Sequence, residues 1–267
     1  MSLNWRTYRR RQRRSLFAAI AVSVFAAVLM GTIIWFFVAG QFAVADAQST
    51  GPETAPVRDA AFMKEVTPPR AIQDASATEV LALLEVKGRA PSTGYNRENF
   101  GQAWLDVDRN GCDTRNDVLR RDFLNVSFTK SSLTSKCQVA SGLLSDPYTG
   151  TTIFFERGSQ SSKSVQIDHV VALSDAWQTG AQLLTPGQRA SLANDPVNLI
   201  AVDGPANQEK SASDAASWLP SNKRFRCHYV ARQISVKFAY HLWVTPAEHD
   251  AMAAVLNKCP AQRTVHP

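Results

Sequence analysis

Residues 165–173 read VQIDHVVAL, a run of β-branched and aliphatic side chains broken by a carboxylate and an imidazole side by side, Asp168 and His169. Such a short apolar run predicts a buried strand. Burying an unpaired charge is expensive, so Asp168 and His169 must either pair internally or stand at the lip of a cleft. Neighbours on a regular strand point to opposite faces. For both to address one cleft, the strand must end, bulge or twist at that point.

Two later segments supply the missing partners. PVNLIAV (196–202) predicts a second strand that opens with Asn198. DGPANQEKSASDAASW (203–218) predicts a turn and then a helix, with Asn207 in its first turn and Lys210 one turn later. Strand, loop, strand and helix carry Asp-His, Asn and Asn in that order, the layout of a one-metal phosphodiesterase site. The loop between the strands holds an amphipathic piece at 175–180 and a helix from Thr185 to Ala193. In that helix Thr185 is the N-cap, Pro186 is at N1 and Gln188 completes a capping box. Phosphodiester hydrolysis needs an activated water, charge neutralisation in the transition state and a stabilised leaving oxygen. A hard divalent cation serves the last two with only one or two protein oxygens. Asp168 and Asn207 offer those oxygens, and His169, neutral near pH 7, is the base.

On these residues the chain resembles the HNH (ββα-metal) nucleases. From GYNRENF to Cys259 it is similar to exported relatives of the GmrSD restriction-endonuclease C-terminal domain family, with QIDHVVAL, NDPVNL and N-x-x-K as the most specific parts. The resemblance implies an α+β fold, a ββα-metal (HNH) core with flanking helices and an antiparallel hairpin; the apolar run 15–40 places one N-terminal transmembrane helix before it. It also implies an endonuclease acting on nucleic acid, with DNA the favoured substrate. Asp168 and Asn207 would be the metal positions, His169 the general base, and Asn198 the residue that braces base and loop. Both later positions are Asn and neither is a final His, which favours Mg²⁺ or Mn²⁺ over Zn²⁺. Lys210, at i+3 from Asn207, shares its helix face and is a candidate phosphate contact, with Arg115 a second.

The charge of the chain fits this reading only in part. The net charge is +6, but of 29 basic side chains six arginines lie in residues 1–14, and the remaining 23 balance 23 acids. The pI therefore reports a topology signal and is no argument for DNA binding. Residues 15–40 carry no charge and are long enough to span a bilayer, with the arginines placing the N-terminus in the cytoplasm. The small-x-small patterns Ala43-Val44-Ala45 and Ala45-Asp46-Ala47 allow secretion by cleavage instead, although the length of the apolar run favours an uncleaved anchor. Residues 41–74 read as a flexible linker, 75–260 as the exported domain and 261–267 as a tail. The sequence points to no protein partner.

Cys112, Cys137, Cys227 and Cys259 lack zinc spacing, and in an exported chain they predict two disulfides. Local loop closure favours Cys112–Cys137 and Cys227–Cys259. Asp106, Asp108, Asn110 and Gly111 open a calcium-loop pattern, with Asp117 at the twelfth position where a Glu is wanted. Gly111 in a tight turn before the helix 114–123 explains the same letters without Ca²⁺. Apolar spacing predicts a helix over 77–88 with Gly88 as its cap. TTIFFERG (151–158) predicts a strand that hairpins onto 165–173. A basic run, Lys223, Arg224, Arg226, Arg232 and Lys237, supports the competing reading: a non-catalytic, surface-displayed module that binds nucleic acid or an anionic wall polymer. Tyr229, Ile234, Phe238 and Trp243 read as the packed face of a helix, and Thr245 and Glu248 as a capping box opening the last one.

Overall fold

The computed structural model describes residues 75–130, 136–158 and 163–266; the arginine tail, the apolar stretch 15–40 and the linker lie outside the described residues, and the transmembrane expectation with them. Among the described residues no helix is long and apolar enough to cross a membrane.

The fold is α+β. Helix α1 (Ala77–Leu81) is followed, after a long irregular segment, by α2 (Thr114–Asp122). Strands β1 (Phe123–Phe128), β2 (Val139–Ser145) and β3 (Thr152–Glu156) form one antiparallel sheet in that order. Strands β4 (Val165–His169) and β5 (Leu199–Asp203) form a second, two-stranded sheet. Between them lie α3 (Leu173–Gln178) and α4 (Pro186–Asn194), and after them α5 (Gly204–Lys210), α6 (Arg226–Ala239) and α7 (Pro246–Leu256).

The partner of β4 corrects the expected hairpin. β3 pairs with β2, Leu144 opposite Ile153, while β4 pairs antiparallel with β5, Ile167 opposite Ala201 and His169 opposite Leu199. Burial explains the choice. β3 alternates, with only Phe155 fully buried, and it folds back on β2 through the tight Asp146–Thr151 turn. β4 is buried at Val165, Ile167, Asp168 and His169, and it needs a partner that is equally apolar, which Leu199–Val202 provides.

That β4–β5 pair is the centre of the molecule. Ile200 and Val202 join the cluster built from α1, α6 and α7; Val171 and Val197, just outside the strands, join the one around Phe100 and Trp177; Ile167, Leu199 and Ala201 join α2 and the three-stranded sheet. Each apolar side chain taken fully from water contributes about 1.5–3 kcal/mol, so all three clusters fix the position of the residue at the end of β4.

Local chemistry sets the helix starts. Thr185 with Gln188, and Thr245 with Glu248, form complete capping boxes, each with Pro in the first turn. α2 is capped by Asp113, whose side chain accepts from Asn116 N at 2.9 Å, and not by the Gly111 turn. The predicted 77–88 helix stops at Leu81, because beyond it Val86 bridges to Val244 and Lys87 N donates to the Val244 carbonyl at 3.0 Å. Residues 261–266, read from sequence as a tail, are drawn in: Arg263 bridges to Ser76, and Thr264 N donates to Ala75 O at 3.0 Å. Two disulfides, Cys112–Cys137 and Cys227–Cys259, close loops of sequence separation 25 and 32.

Candidate active site

β4 ends at His169, which resolves the problem of two neighbouring side chains sharing a cleft. Beyond it the main chain is held by Asn198, which is 0 % exposed. The Asn198 carbonyl accepts from Val170 N at 2.7 Å, its Oδ1 accepts from Val171 N at 2.8 Å, and its Nδ2 donates to Leu192 O at 3.1 Å. One buried amide thus ties the end of β4, the start of β5 and α4 together. A buried amide with this many bonds is a rigid part.

Among the described residues the His169 ring makes one hydrogen bond, Nε2 to the Ala193 carbonyl at 2.8 Å. A carbonyl oxygen only accepts, so Nε2 carries the proton and Nδ1 keeps a lone pair. Burial lowers the His169 pKa to about 4; the Ala193 bond opposes that, and the charges of Arg97 and Lys210 add to it. The ring is therefore neutral at pH 7, with an unprotonated nitrogen.

Asp168 is buried and doubly held. Lys210 Nζ donates to its Oδ1 at 3.0 Å and to the His169 carbonyl at 2.9 Å; the Tyr148 hydroxyl donates to its Oδ2 at 2.5 Å. Burial pushes the Asp168 carboxyl up, opposed by the Lys210 ammonium and then by the Tyr148 hydrogen bond. Tyr148 is itself fully buried, edge-on to Trp218 and Tyr229, and its own pKa is driven well up by burial and by Asp168. Lys210, expected at a phosphate, points inward instead, with its side chain 0 % exposed. The reason is electrostatic: a carboxylate at the end of a buried strand requires a counter-charge, and the last residue of α5 is the cation that reaches it.

Asn207 stands on α5, whose start is set by the Asp203 side chain accepting from Ala206 N at 2.8 Å. Gly204 permits the close approach of this helix to the β4 side, where a Cβ would strike the Lys163 carbonyl. Asn207 Nδ2 donates to Gln166 Oε1 at 2.8 Å, which leaves its own oxygen without a partner among the described residues. Asp168, His169 and Asn207 border one polar cleft of about 290 Å³, together with Tyr95, Arg97 and Ser211. A second cleft, about 260 Å³, also borders His169 and is walled by Phe100, Trp104 and Leu173. Arg97 borders both.

The donor set fits a hard cation in kind: one carboxylate and one uncommitted amide oxygen on a shared cleft, with room for waters. Lys210 donates to Asp168 Oδ1 and Tyr148 to Oδ2, and the neighbouring ammonium weakens the pull on a further positive charge. Among the described residues no three His, Cys, Asp or Glu side chains gather as a metal cluster.

Other expectations are placed as follows. Arg115 is half-buried with its guanidinium 5.8 Å from the Trp104 ring centroid, and burial, with the Arg157 charge, lowers its pKa. The Asp106–Gly111 loop is closed by its own backbone: Asn110 N donates to Asp106 Oδ1 at 3.2 Å and to Asp108 Oδ1 at 3.1 Å, and Gly111 N donates to Asp106 Oδ2 at 3.0 Å. These carboxylates thus face main-chain donors, and the turn reading accounts for the letters without Ca²⁺. The basic run from Lys223 to Lys237 does not form one patch. Arg232 turns inward onto the carbonyls of Val197 (2.9 Å) and Pro196 (2.9 Å), and Lys237 is buried between Asp175 (3.2 Å) and Glu248 (2.9 Å). Lys223 and Arg224 stay exposed. Sequence reasoning missed Tyr148 and Arg97. Tyr148 sits in a turn with no periodic signal, and Arg97 lies between the aromatics Tyr95 and Phe100 in a segment that carries no catalytic motif.

Comparison with known proteins gives the geometry a family. A secreted protein of Arthroderma benhamiae, described only as "Uncharacterized secreted protein", is 39% identical over 195 residues, covering 72% of this chain and 89% of its own length. No solved structure matches. The profile of "GmrSD restriction endonucleases, C-terminal domain" matches residues 113–255, more than half of the chain and the whole of the β4–β5–α5 site, and the protein belongs to that family.

Proposed function

We propose that the protein is an exported, metal-dependent endonuclease of the HNH type that hydrolyses phosphodiester bonds, with DNA the first substrate to test. The observation that carries this reading is the His169 ring: Nε2–H bonds to the Ala193 carbonyl, so Nδ1 keeps its lone pair, and His169 lines both clefts. In this reading His169 Nδ1 takes the proton from the attacking water. Asn198 holds the turn that aims the ring, and Lys210 with Tyr148 holds the Asp168 carboxylate. Asp168 and Asn207 would hold Mg²⁺ or Mn²⁺, which neutralises charge on the phosphoryl group and on the leaving oxygen.

Export is supported by two disulfides, which persist in oxidising compartments, and by the secreted relative. Residues 15–40 would be the anchor and 41–74 the linker to the catalytic domain. The experiment compares wild type with His169→Ala on supercoiled plasmid DNA and on RNA, with Mg²⁺ and with Mn²⁺. Metal-dependent nicking by wild type, lost by a factor of about 10²–10⁴ in the variant, is expected for a general base. Equal nicking by the two proteins, or none by either, would turn the assignment toward the binding module.

A further inference from the structure

We infer that the apolar cleft beside His169 seats a nucleobase of the strand being cut, with Arg97 holding the phosphate between the two clefts, so that the preferred substrate is single-stranded or locally unpaired nucleic acid. This rests on the endonuclease reading and names its substrate class.

Arg97 and His169 are the two residues bordering both clefts. On one side of them stand a carboxylate, an amide and a hydroxyl, from Asp168, Asn207 and Ser211. The other cleft is lined by half-buried Trp104 together with buried Phe100 and Leu173. A nucleotide chain has the same division: an anionic phosphate, then a flat apolar base one sugar away. Seating the phosphate at the junction brings the adjoining base to the aromatic wall.

Arg97 is suited to the phosphate. It is exposed, and among the described residues no carboxylate pairs with it. Lys210, the other cation near His169, is committed to Asp168. A guanidinium makes paired, directional bonds to phosphate oxygens that an ammonium does not. Its backbone is held although its side chain is not. Arg97–Phe100 is a single 3-10 turn started by the Asn96 side chain, anchored by buried Phe100 and by Arg189 Nε donating to Asn99 O at 2.8 Å.

The wall is suited to a base. Trp104 has φ 58°, in the left-handed region that a bulky residue adopts only when its surroundings impose it. Ser211, at φ 49°, borders the polar cleft, so each cleft has one such residue on its rim. Backbone held in this way is found at binding and catalytic sites. The Arg115 guanidinium lies over the Trp104 ring, so positive charge also flanks the apolar wall. Aromatic rings with cations beside them are how sequence-tolerant proteins hold single strands. In a duplex both faces of each base are covered, and a base reaches such a cleft only after leaving the stack.

The test uses the full-length protein with Mn²⁺ and one labelled oligonucleotide in three forms: single-stranded, annealed to its complement, and single-stranded with an abasic residue beside the cut. Wild type should cut the single strand at least about tenfold faster than the duplex, and the abasic strand with a KM raised roughly 5- to 150-fold, the range for loss of one base–aromatic stack. Trp104→Leu should raise KM on the intact strand by a similar factor and leave the abasic strand unaffected. Arg97→Ala should lower kcat on all three by on the order of a hundredfold, with partial rescue by Arg97→Lys. The abasic comparison uses unaltered protein, so it stands even if Trp104→Leu folds poorly. Equal cutting of intact and abasic strands, a duplex cut as fast as the single strand, or an Arg97→Ala enzyme with wild-type kcat overturns the inference and leaves the endonuclease standing. A wild type that cuts none of the three removes the parent reading, and this one with it.

Discussion

Replacing Lys210 by Met asks directly which way the lysine of the N-x-x-K motif points. Met keeps an unbranched apolar stem of similar length and donates nothing. In the structure the Lys210 ammonium sits 3.0 Å from Asp168 Oδ1 and 2.9 Å from the His169 carbonyl, and its side chain is 0 % exposed against 7 % for that of Asp168. Removing it leaves a buried carboxylate with the Tyr148 hydroxyl as its one side-chain donor among the described residues. Breaking one side of a buried ion pair costs about 3–5 kcal/mol, which for a domain of this size lowers Tm by roughly 6–20 °C. An exposed lysine that touches only substrate would change stability by less than about 0.5 kcal/mol. The loss should be greatest near neutral pH, where the unpaired carboxyl would be charged. It should narrow in acid, as expected for a carboxyl whose folded pKa is raised further by losing its cation. Neutralising the acid as well, in Asp168→Asn with Lys210→Met, should recover part of the loss, because the two effects are coupled. Urea titration of the four proteins of this cycle measures every term. If Lys210→Met melts with wild type while its KM for nucleic acid rises tenfold, the ammonium faces the substrate and the inward placement is refuted.

Three further outcomes follow from the same geometry. The His169 pKa is lowered from 6.5 to about 4 by burial, so as pH falls below 6.5 the unfolded chain takes up the proton first; stability should be complete above pH 6.5 and decline by about 3 kcal/mol on reaching pH 4. Urea midpoints across that range should flatten in His169→Asn, and an unchanged slope would show that the ring is not the group responsible; the acid limb of kcat/KM should likewise lie near 4. Asn198→Leu deprives the Val171 N–H of its acceptor, costing about 1–3 kcal/mol, and by loosening the turn that aims His169 it should reduce kcat more than it changes KM. Lys237→Met strips buried Glu248 of its cation and leaves buried Asp175 paired with Arg89 alone, with a cost of about 3–5 kcal/mol; a neutral effect in thermal melts would mean that the α6 lysine lies on the surface, as its basic run first suggested.

What the sequence announced and what it withheld divide along a physical line. The capping boxes at Thr185 and Thr245 were legible because every atom they use lies within four residues. The β4 and β5 segments were legible because a buried strand has a composition. The partner of β4 was not, because β3 is the nearer strand in sequence and pairing is settled by which edge can be buried on both faces, a property of two distant segments together. Lys210 shows the limit most clearly. Its i+3 spacing from Asn207 correctly gave a helix side, but spacing carries no depth. Depth was implied elsewhere, in VQIDHVVAL itself. A carboxylate in so apolar a strand demands an internal cation, and no base lies closer along the chain than Lys163 upstream until Arg189 and then Lys210. Arg189 is engaged with the Asn99 carbonyl, and Lys210 is the cation the fold delivers. On that argument the lysine belongs to the upkeep of Asp168, and Arg97, on a segment outside the β4–β5–α5 unit, is an exposed cation bordering both clefts.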